Sequence, residues 1–186
     1  MFSGGESRRM GQDKALLPHP NGGVWLTDLV DQVRHLGLPL KVVSRYPAHA
    51  DQLADRPDVV VLQEPPPWQG PLQALGHVLP LTPVEALLVL PVDMPRLSAA
   101  VMQQLITAWH EQPDQIAVAQ DGKRLQPLLA VIPTGEPFQN RLAEQLACGD
   151  RRWMAWLALV PHRPVVLPSQ ALLNANRPED LAALMA

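Results

Sequence analysis

Residues 87–97 read "LLVLPVDMPRL". Asp93 follows seven apolar residues, Ala86 to Val92, and is succeeded by Met-Pro. A run with no polar alternation reads as a strand covered on both faces, the kind found in parallel sheets. An acid at the end of such a strand stands at the carboxyl edge, where open α/β sheets bind their ligands. Taken alone, an aspartate before Met-Pro is more often a cap or a turn residue. Its weight depends on what else the chain brings to that edge.

Five further valine-rich runs read as strands: 39–44 (PLKVVS), 58–63 (DVVVLQ), 115–120 (QIAVAQ), 127–133 (PLLAVIP) and 164–168 (PVVLP). Helical patterns lie between them. Thr27 or Asp28 is placed to cap a helix through Leu36 that Gly37 closes. Pro71 stands at a first helical position behind Gly70, Ser98 opens a helix that Pro113 stops, and two more are expected over 137–147 and 178–185. This alternation predicts an α/β fold: a Rossmann-like three-layer α/β/α sandwich with a mainly parallel sheet. One domain over 1–186 is expected, with a less regular segment around 121–160 covering the open end of the sheet.

The totals restrict partners. The chain has 186 residues, 47% hydrophobic and 18% charged, and 21 scattered prolines that punctuate loops. A net charge of −3 provides no global attraction for nucleic acid or an anionic membrane. The single cysteine, Cys148, excludes an intrachain disulfide and a Cys-rich zinc site. No apolar run has transmembrane length and no signal-peptide pattern opens the chain, so a cytoplasmic setting is expected. The six histidines are dispersed and read as structural or surface groups.

An anion must therefore be captured locally. The densest basic cluster, Arg8, Arg9 and Lys14, lies in "SGGESRRMGQDKALL" (3–17) beside Gly4 and Gly5. Glycines let backbone N–H groups approach a phosphate closely, and adjacent cations neutralise it. The spacing fits neither a P-loop nor Gly-x-Gly-x-x-Gly, so this is a different phosphate loop. A carboxylate at Asp93 beside a triphosphate makes sense chiefly as a magnesium ligand, because otherwise the like charges repel. "WQGPLQAL" (68–75) offers a helix opening that can face a ligand, and "NANRPEDLAAL" (174–184) places two amides before a capped helix.

In order, "SGGESRRMGQDKALL", "GPLQAL", "LPVDMPRL", "LQPLLAVIP", "RRWM" and "NANRPEDL" resemble the molybdenum cofactor guanylyltransferases over nearly the whole chain. The resemblance implies coupling of the nucleotide of GTP to molybdopterin, with Mg2+ and release of pyrophosphate. It implies that Phe2, Ser3, Gly4 and Gly5 hold the nucleotide, with Lys14 on its phosphates and Arg8 as a phosphate partner. Ser44 stands where the family often has a guanosine-contacting Asn, and Asp93 would serve both phosphates and metal. The acid that contacts guanine in the family has Gln63 or Glu64 as counterpart, Glu64 preferred because a carboxylate can accept from both guanine N–H groups. Arg151, Arg152, Asn174 and Asn176 would face the pterin. Molybdoenzymes or other cofactor-synthesis proteins are the protein partners implied; nucleic acid and membrane are not.

Three departures accompany the resemblance. Phe2-Ser3 replace Leu-Ala, and the Gly-Pro-Leu helix continues Gln-Ala-Leu. The family's loop also follows a central buried strand, whereas here Met1-Phe2 stand in front of the glycines and the first strand reads as truncated. A late-placed reading frame, an internal methionine or a shortened chain would each account for this. Several buried side chains at roughly 1.5–3 kcal/mol each rival a domain's stability, so a replacement is expected. The alternatives are a CTP-dependent enzyme on the same pterin, disfavoured by the double glycine, and a non-catalytic relative that delivers cofactor.

Overall fold

The computed structural model describes residues 1–5, 11–20, 22–79, 85–175 and 180. In chain order the elements are a 3-10 turn (Lys14–Leu16), α1 (Trp25–Arg34), β1 (Leu40–Ser44), α2 (Pro47–Gln52), β2 (Val59–Gln63), α3 (Pro71–Val78), β3 (Ala86–Val89), α4 (Ala99–Glu111), β4 (Ile116–Gln120), β5 (Leu125–Pro133), α5 (Phe138–Ala147), α6 (Trp153–Leu157), β6 (His162–Val166) and a second 3-10 turn (Ser169–Leu172). The chain divides into two compact units. The first comprises Met1–Glu64, Pro91–Met102 and Pro168–Ala186; the second comprises Pro65–Leu90 and Gln103–Leu167. The expected helix over 178–185 falls outside the described residues, Asp180 excepted.

In the first unit β1 and β2 pair in parallel, Leu40 opposite Val59 through Ser44 opposite Gln63. The residues ahead of the glycines take up a strand position beside them. Phe2 bridges both Val43 and Pro91 in parallel. The Met1 α-amine donates to Lys41 O at 2.8 Å, Val43 N–H to Met1 O at 2.9 Å, and Ser3 N–H to Val43 O at 3.0 Å. Burial pushes the Met1 amine down to about 5, so it enters the interior neutral. Met1–Ser3 thus lie in a strand position beside β1.

Helix α1 starts at Trp25, two residues before Thr27. Thr27 acts from the third helical position, its Oγ1 accepting from Val24 N–H at 3.1 Å and donating to Val24 O at 2.9 Å. One face buries Trp25, Leu26, Leu29, Val30 and Val33, and Gly37 follows in a left-handed conformation, φ 67°.

The second unit holds a four-stranded sheet in the order β3-β5-β4-β6. Here the expectation of a mainly parallel sheet is refined to a mixed one. β4 and β6 are parallel, but β5 runs antiparallel to both β3 and β4. The reason is the short connection after β4. Asp121 Oδ1 accepts from Lys123 N–H at 3.0 Å and Arg124 N–H at 2.8 Å, and Gly122 adopts φ 90°. A connection of that length can only reverse the chain, since a parallel return needs a dozen or more residues. The segment 121–160, read as less regular, carries β5, α5 and α6. In α3, Gly76 lets the Leu146 side chain of α5 lie against the helix where a Cβ would collide with it.

Apolar runs and burial part company at sheet edges. β4 buries Ile116, Ala117, Val118 and Ala119 completely, whereas Val60 of β2 is 50% exposed and Val166 of β6 is 70% exposed. β2 and β6 are edge strands of their sheets. Substitution separates the two cases within one ladder. Val42→Thr, at a fully buried site of β1, is expected to cost about 1–3 kcal/mol by burying a hydroxyl. Val60→Thr on β2 is expected within about 0.5 kcal/mol of the parent. Urea unfolding midpoints measure both.

Candidate functional site

The residues singled out in the opening loop converge in the first unit. Gly4 is pressed between two groups: a Cβ placed on it would lie 3.1 Å from Glu64 Oε2 and 3.3 Å from the Arg45 backbone nitrogen. A Cβ on Gly5 would meet nothing within 4 Å. A side chain at the first glycine would make a neighbour give way, while among the described residues the second has open space beside it. Ser3, directly before them, is 2% exposed.

The strand register turns Gln63 and Glu64 to opposite sides. Glu64 N–H donates to Ser44 O at 2.8 Å, extending the β1–β2 ladder by one residue. Successive side chains on an extended chain point to opposite sides. Gln63 turns outward and donates from Nε2 to Arg45 O at 3.1 Å. Glu64 turns inward, buried, with its carboxylate against Gly4. The preferred residue is the one placed beside the glycine pair.

Asp93 lies beyond Pro91, the residue bridged to Phe2. Its Oδ2 accepts from Lys14 Nζ at 3.4 Å, the two side chains being 26% and 12% exposed. Lys14 opens the 3-10 turn, which Asp13 caps by accepting from Ala15 N–H at 3.0 Å. The cation of the basic cluster and the carboxylate at the strand edge therefore meet, although 79 residues separate them. The pair is partly buried, and both partners keep some surface open to solvent.

Among the described residues no group of three His, Cys, Asp or Glu side chains could hold a metal. Magnesium takes one or two carboxylates and draws its remaining ligands from water and substrate phosphates. Asp93 fits as such a single carboxylate.

Of the residues expected on the pterin side, Asn174 precedes Ala175, whose N–H donates to Asp93 O at 3.0 Å. Its segment is thus tied to the strand edge. Arg151 and Arg152 belong to the second unit. Arg152 is paired with Asp150, Nη2 to Oδ2 at 2.7 Å and Nε to Oδ1 at 3.0 Å, which holds the Asp150 carboxyl down at about 2. Arg151 Nη1 donates to Gly149 O at 2.8 Å. Arg8, Arg9 and Asn176 lie outside the described residues.

Sequence reading missed His49 and gave Asp13 no role. His49, on α2, is wholly buried and contacts Ser3, Ser44 and Asp13. Nothing in "SRYPAHADQL" marks that histidine, because two of its three partners, Ser3 and Asp13, lie outside that stretch.

A family model described as a MobA-like NTP transferase domain matches residues 1–163. The chain is 36% identical over 187 residues to a probable molybdenum cofactor guanylyltransferase of Rhodopirellula baltica, covering 97% of this chain and 88% of that relative. It is 30% identical over 192 residues to the molybdenum cofactor guanylyltransferase of Pseudomonas syringae pv. syringae, covering 96% and 88%. Among solved structures the fold is similar to molybdopterin-guanine dinucleotide biosynthesis protein A from Archaeoglobus fulgidus, with a TM-score of 0.76 at 18% identity over 98% of this chain and 93% of that one. It is also similar to a 4-diphosphocytidyl-2C-methyl-D-erythritol synthase, with a TM-score of 0.72 at 14% identity, covering 92% of each chain.

The two glycines are expected to respond differently to a methyl group. Gly4→Ala forces Glu64 or the Arg45 backbone to move and is expected to cost about 1–3 kcal/mol in urea unfolding. Gly5→Ala enters open space and is expected to shift stability by no more than about 0.5 kcal/mol.

Proposed function

The chain belongs to the MobA-like NTP transferase domain family, and from that premise we propose that it transfers GMP from GTP to the phosphate of molybdopterin, releasing pyrophosphate. The observation that carries this reading is the meeting of Lys14 and Asp93 at 3.4 Å in the same unit as the open backbone at Gly5 and the buried carboxylate of Glu64. The likeness to the two cofactor guanylyltransferases over most of their length supports the substrate pair.

The residues are suited to the chemistry. In the transfer, a phosphate oxygen of the pterin forms a bond to the α-phosphorus of GTP as the bond to the bridging oxygen breaks, and pyrophosphate departs. A phosphate monoester has a second pKa near ~6, so the nucleophile is already mostly dianionic and needs no general base. The barrier lies in bringing two anions together in line. Lys14 would supply a fixed cation for the leaving phosphates, and the glycine backbone would supply N–H groups that need no reorganisation as charge develops. Glu64 would accept from the two N–H groups on the Watson–Crick edge of guanine, with Ser3, Phe2 and Ser44 lining the nucleoside. Asp93 would hold Mg2+, which supplies charge neutralisation to the phosphates when bound. Arg8 is assigned to the phosphates, and Arg151, Arg152, Asn174 and Asn176 to the pterin. Among the described residues no helix is long and apolar enough to cross a membrane.

Pyrophosphate release from purified protein supplied with molybdopterin and either GTP or CTP tests the reading. GTP turnover in excess of CTP turnover is expected, and CTP turnover without GTP turnover overturns the choice of base. Asp93→Asn preserves side-chain volume, and its turnover is expected to fall by about a hundredfold or more with the melting temperature little changed. Wild-type turnover in that variant would remove Asp93 from the assignment. Gly5→Ala is expected to weaken GTP binding by about tenfold while unfolding as the parent does.

A further inference from the structure

The described residues bury five polar or charged side chains: Ser3, Ser44, His49, Glu64 and Gln145. The first four belong to the segments that meet at the glycine pair, and His49 links two of the others, Ser3 and Ser44. Its Nδ1 lies 2.7 Å from Ser44 Oγ and 3.1 Å from Ser3 Oγ, and its Nε2 lies 2.8 Å from Asp13 Oδ2. The imidazole is 0% exposed, so it does not touch a bound substrate directly.

We infer that His49 is a positioning residue of the transfer site: it ties the residue before the glycine pair and the residue before Lys14 to the end of β1. The inference rests on the transferase reading of the site and adds to it a group that acts only through its neighbours.

Hydrogen-bond accounting assigns the proton. Asp13 Oδ2 is a carboxylate oxygen that only accepts, so Nε2 is the donating ring nitrogen and Nδ1 is left to accept. Ser44 Oγ takes Tyr46 N–H at 3.0 Å on one of its two lone pairs and keeps its hydroxyl proton to donate. His49 Nδ1, at 2.7 Å, is the acceptor for it. The neutral ring then carries its hydrogen on Nε2 and donates it to Asp13 Oδ2. Ser3 Oγ has Val43 O at 3.4 Å as a further acceptor. The other Asp13 oxygen receives Ala15 N–H and so caps the turn that begins with Lys14. A chain of directional bonds therefore runs from β1 through His49 and Asp13 to Ala15 N–H in the turn that Lys14 begins, with Ser3 beside Gly4 also within reach of Nδ1. Small errors in placing a cation or a backbone donor against a transferring phosphoryl group cost large factors in rate. A buried imidazole with every polar atom occupied holds such positions with little play.

Two substitutions divide the two arms of the ring. In His49→Gln the amide nitrogen reaches the place of Nε2 and still donates to Asp13. In His49→Asn the amide oxygen takes the place of Nδ1 and still accepts from Ser44, but the side chain is too short for Asp13. With GTP and molybdopterin, kcat of His49→Asn is expected to fall by about tenfold or more. His49→Gln is expected to recover most of that loss at equal or lower thermal stability. Equal kcat in the two variants, or kcat that tracks their melting temperatures, overturns the inference.

Imidazole 15N NMR of the wild-type full chain supplies a readout independent of turnover. The Nε2–H tautomer is expected for His49, switching to Nδ1–H in Asp13→Asn, whose amide would cap Ala15 but present N–H to the ring. An Nδ1–H tautomer in the wild type, or no switch, overturns the inference. If the wild type transfers no GMP, the functional reading fails while the tautomer measurement still decides the network.

Discussion

Polar side chains that leave water must find partners inside the protein, and unpaired ones cost about 1–3 kcal/mol each. That requirement is concentrated at one place in this molecule. Ser3, Ser44 and His49 are buried behind the glycine pair and satisfy one another, with Asp13 closing the chain of bonds at the far side. Glu64 is buried against Gly4, where no side chain other than hydrogen fits without displacement. The identities of these residues are mutually dependent. A Cβ at Gly4 disturbs Glu64, and loss of the His49 ring leaves two serines and a carboxylate to be satisfied anew.

On this rigid polar base sits a much looser pair. Lys14 and Asp93 meet at 3.4 Å, a longer contact than those His49 makes in the buried network, and both side chains keep part of their surface open. The contrast suits an anion-handling site. The buried groups are joined by short hydrogen bonds of 2.7–3.1 Å, whereas Lys14 and Asp93 stand 3.4 Å apart with part of each side chain open to solvent. The net charge of −3 reinforces the point, because attraction for a triphosphate comes from a few local donors and not from the field of the whole chain.

The second unit shows how far an apolar run can be read. β4 is apolar and fully buried, and its parallel neighbour β6 is also apolar yet exposes Val166. Both look alike as sequence. The difference is the position in the sheet, which follows from the order β3-β5-β4-β6 and leaves β6 with a partner on one side only. The antiparallel course of β5 was in principle legible, since Asp121-Gly122 between two apolar runs is a hairpin signal. The alternation of strand and helix elsewhere drew the reading toward a parallel return.

The sequence alone determined the alternation of elements, the strand that delivers Asp93 to an edge, the glycine pair with its following lysine, and the family. All of these are written in local order, as periodicity, punctuation and short motifs, which is why they survive without coordinates. It did not reveal α2, the start of α1, the opposite sides to which Gln63 and Glu64 turn, or the partners of His49. Those depend on register and on which distant segments come to share one buried volume. Ser3, Asp13, Ser44 and His49 are spread over 46 residues and converge because Met1–Ser3 lies against β1. Side-chain alternation across β2 then sends Glu64 inward and Gln63 outward. Only the tertiary structure decides such contacts, because the cost of burying a polar group is set by neighbours that the linear order does not name.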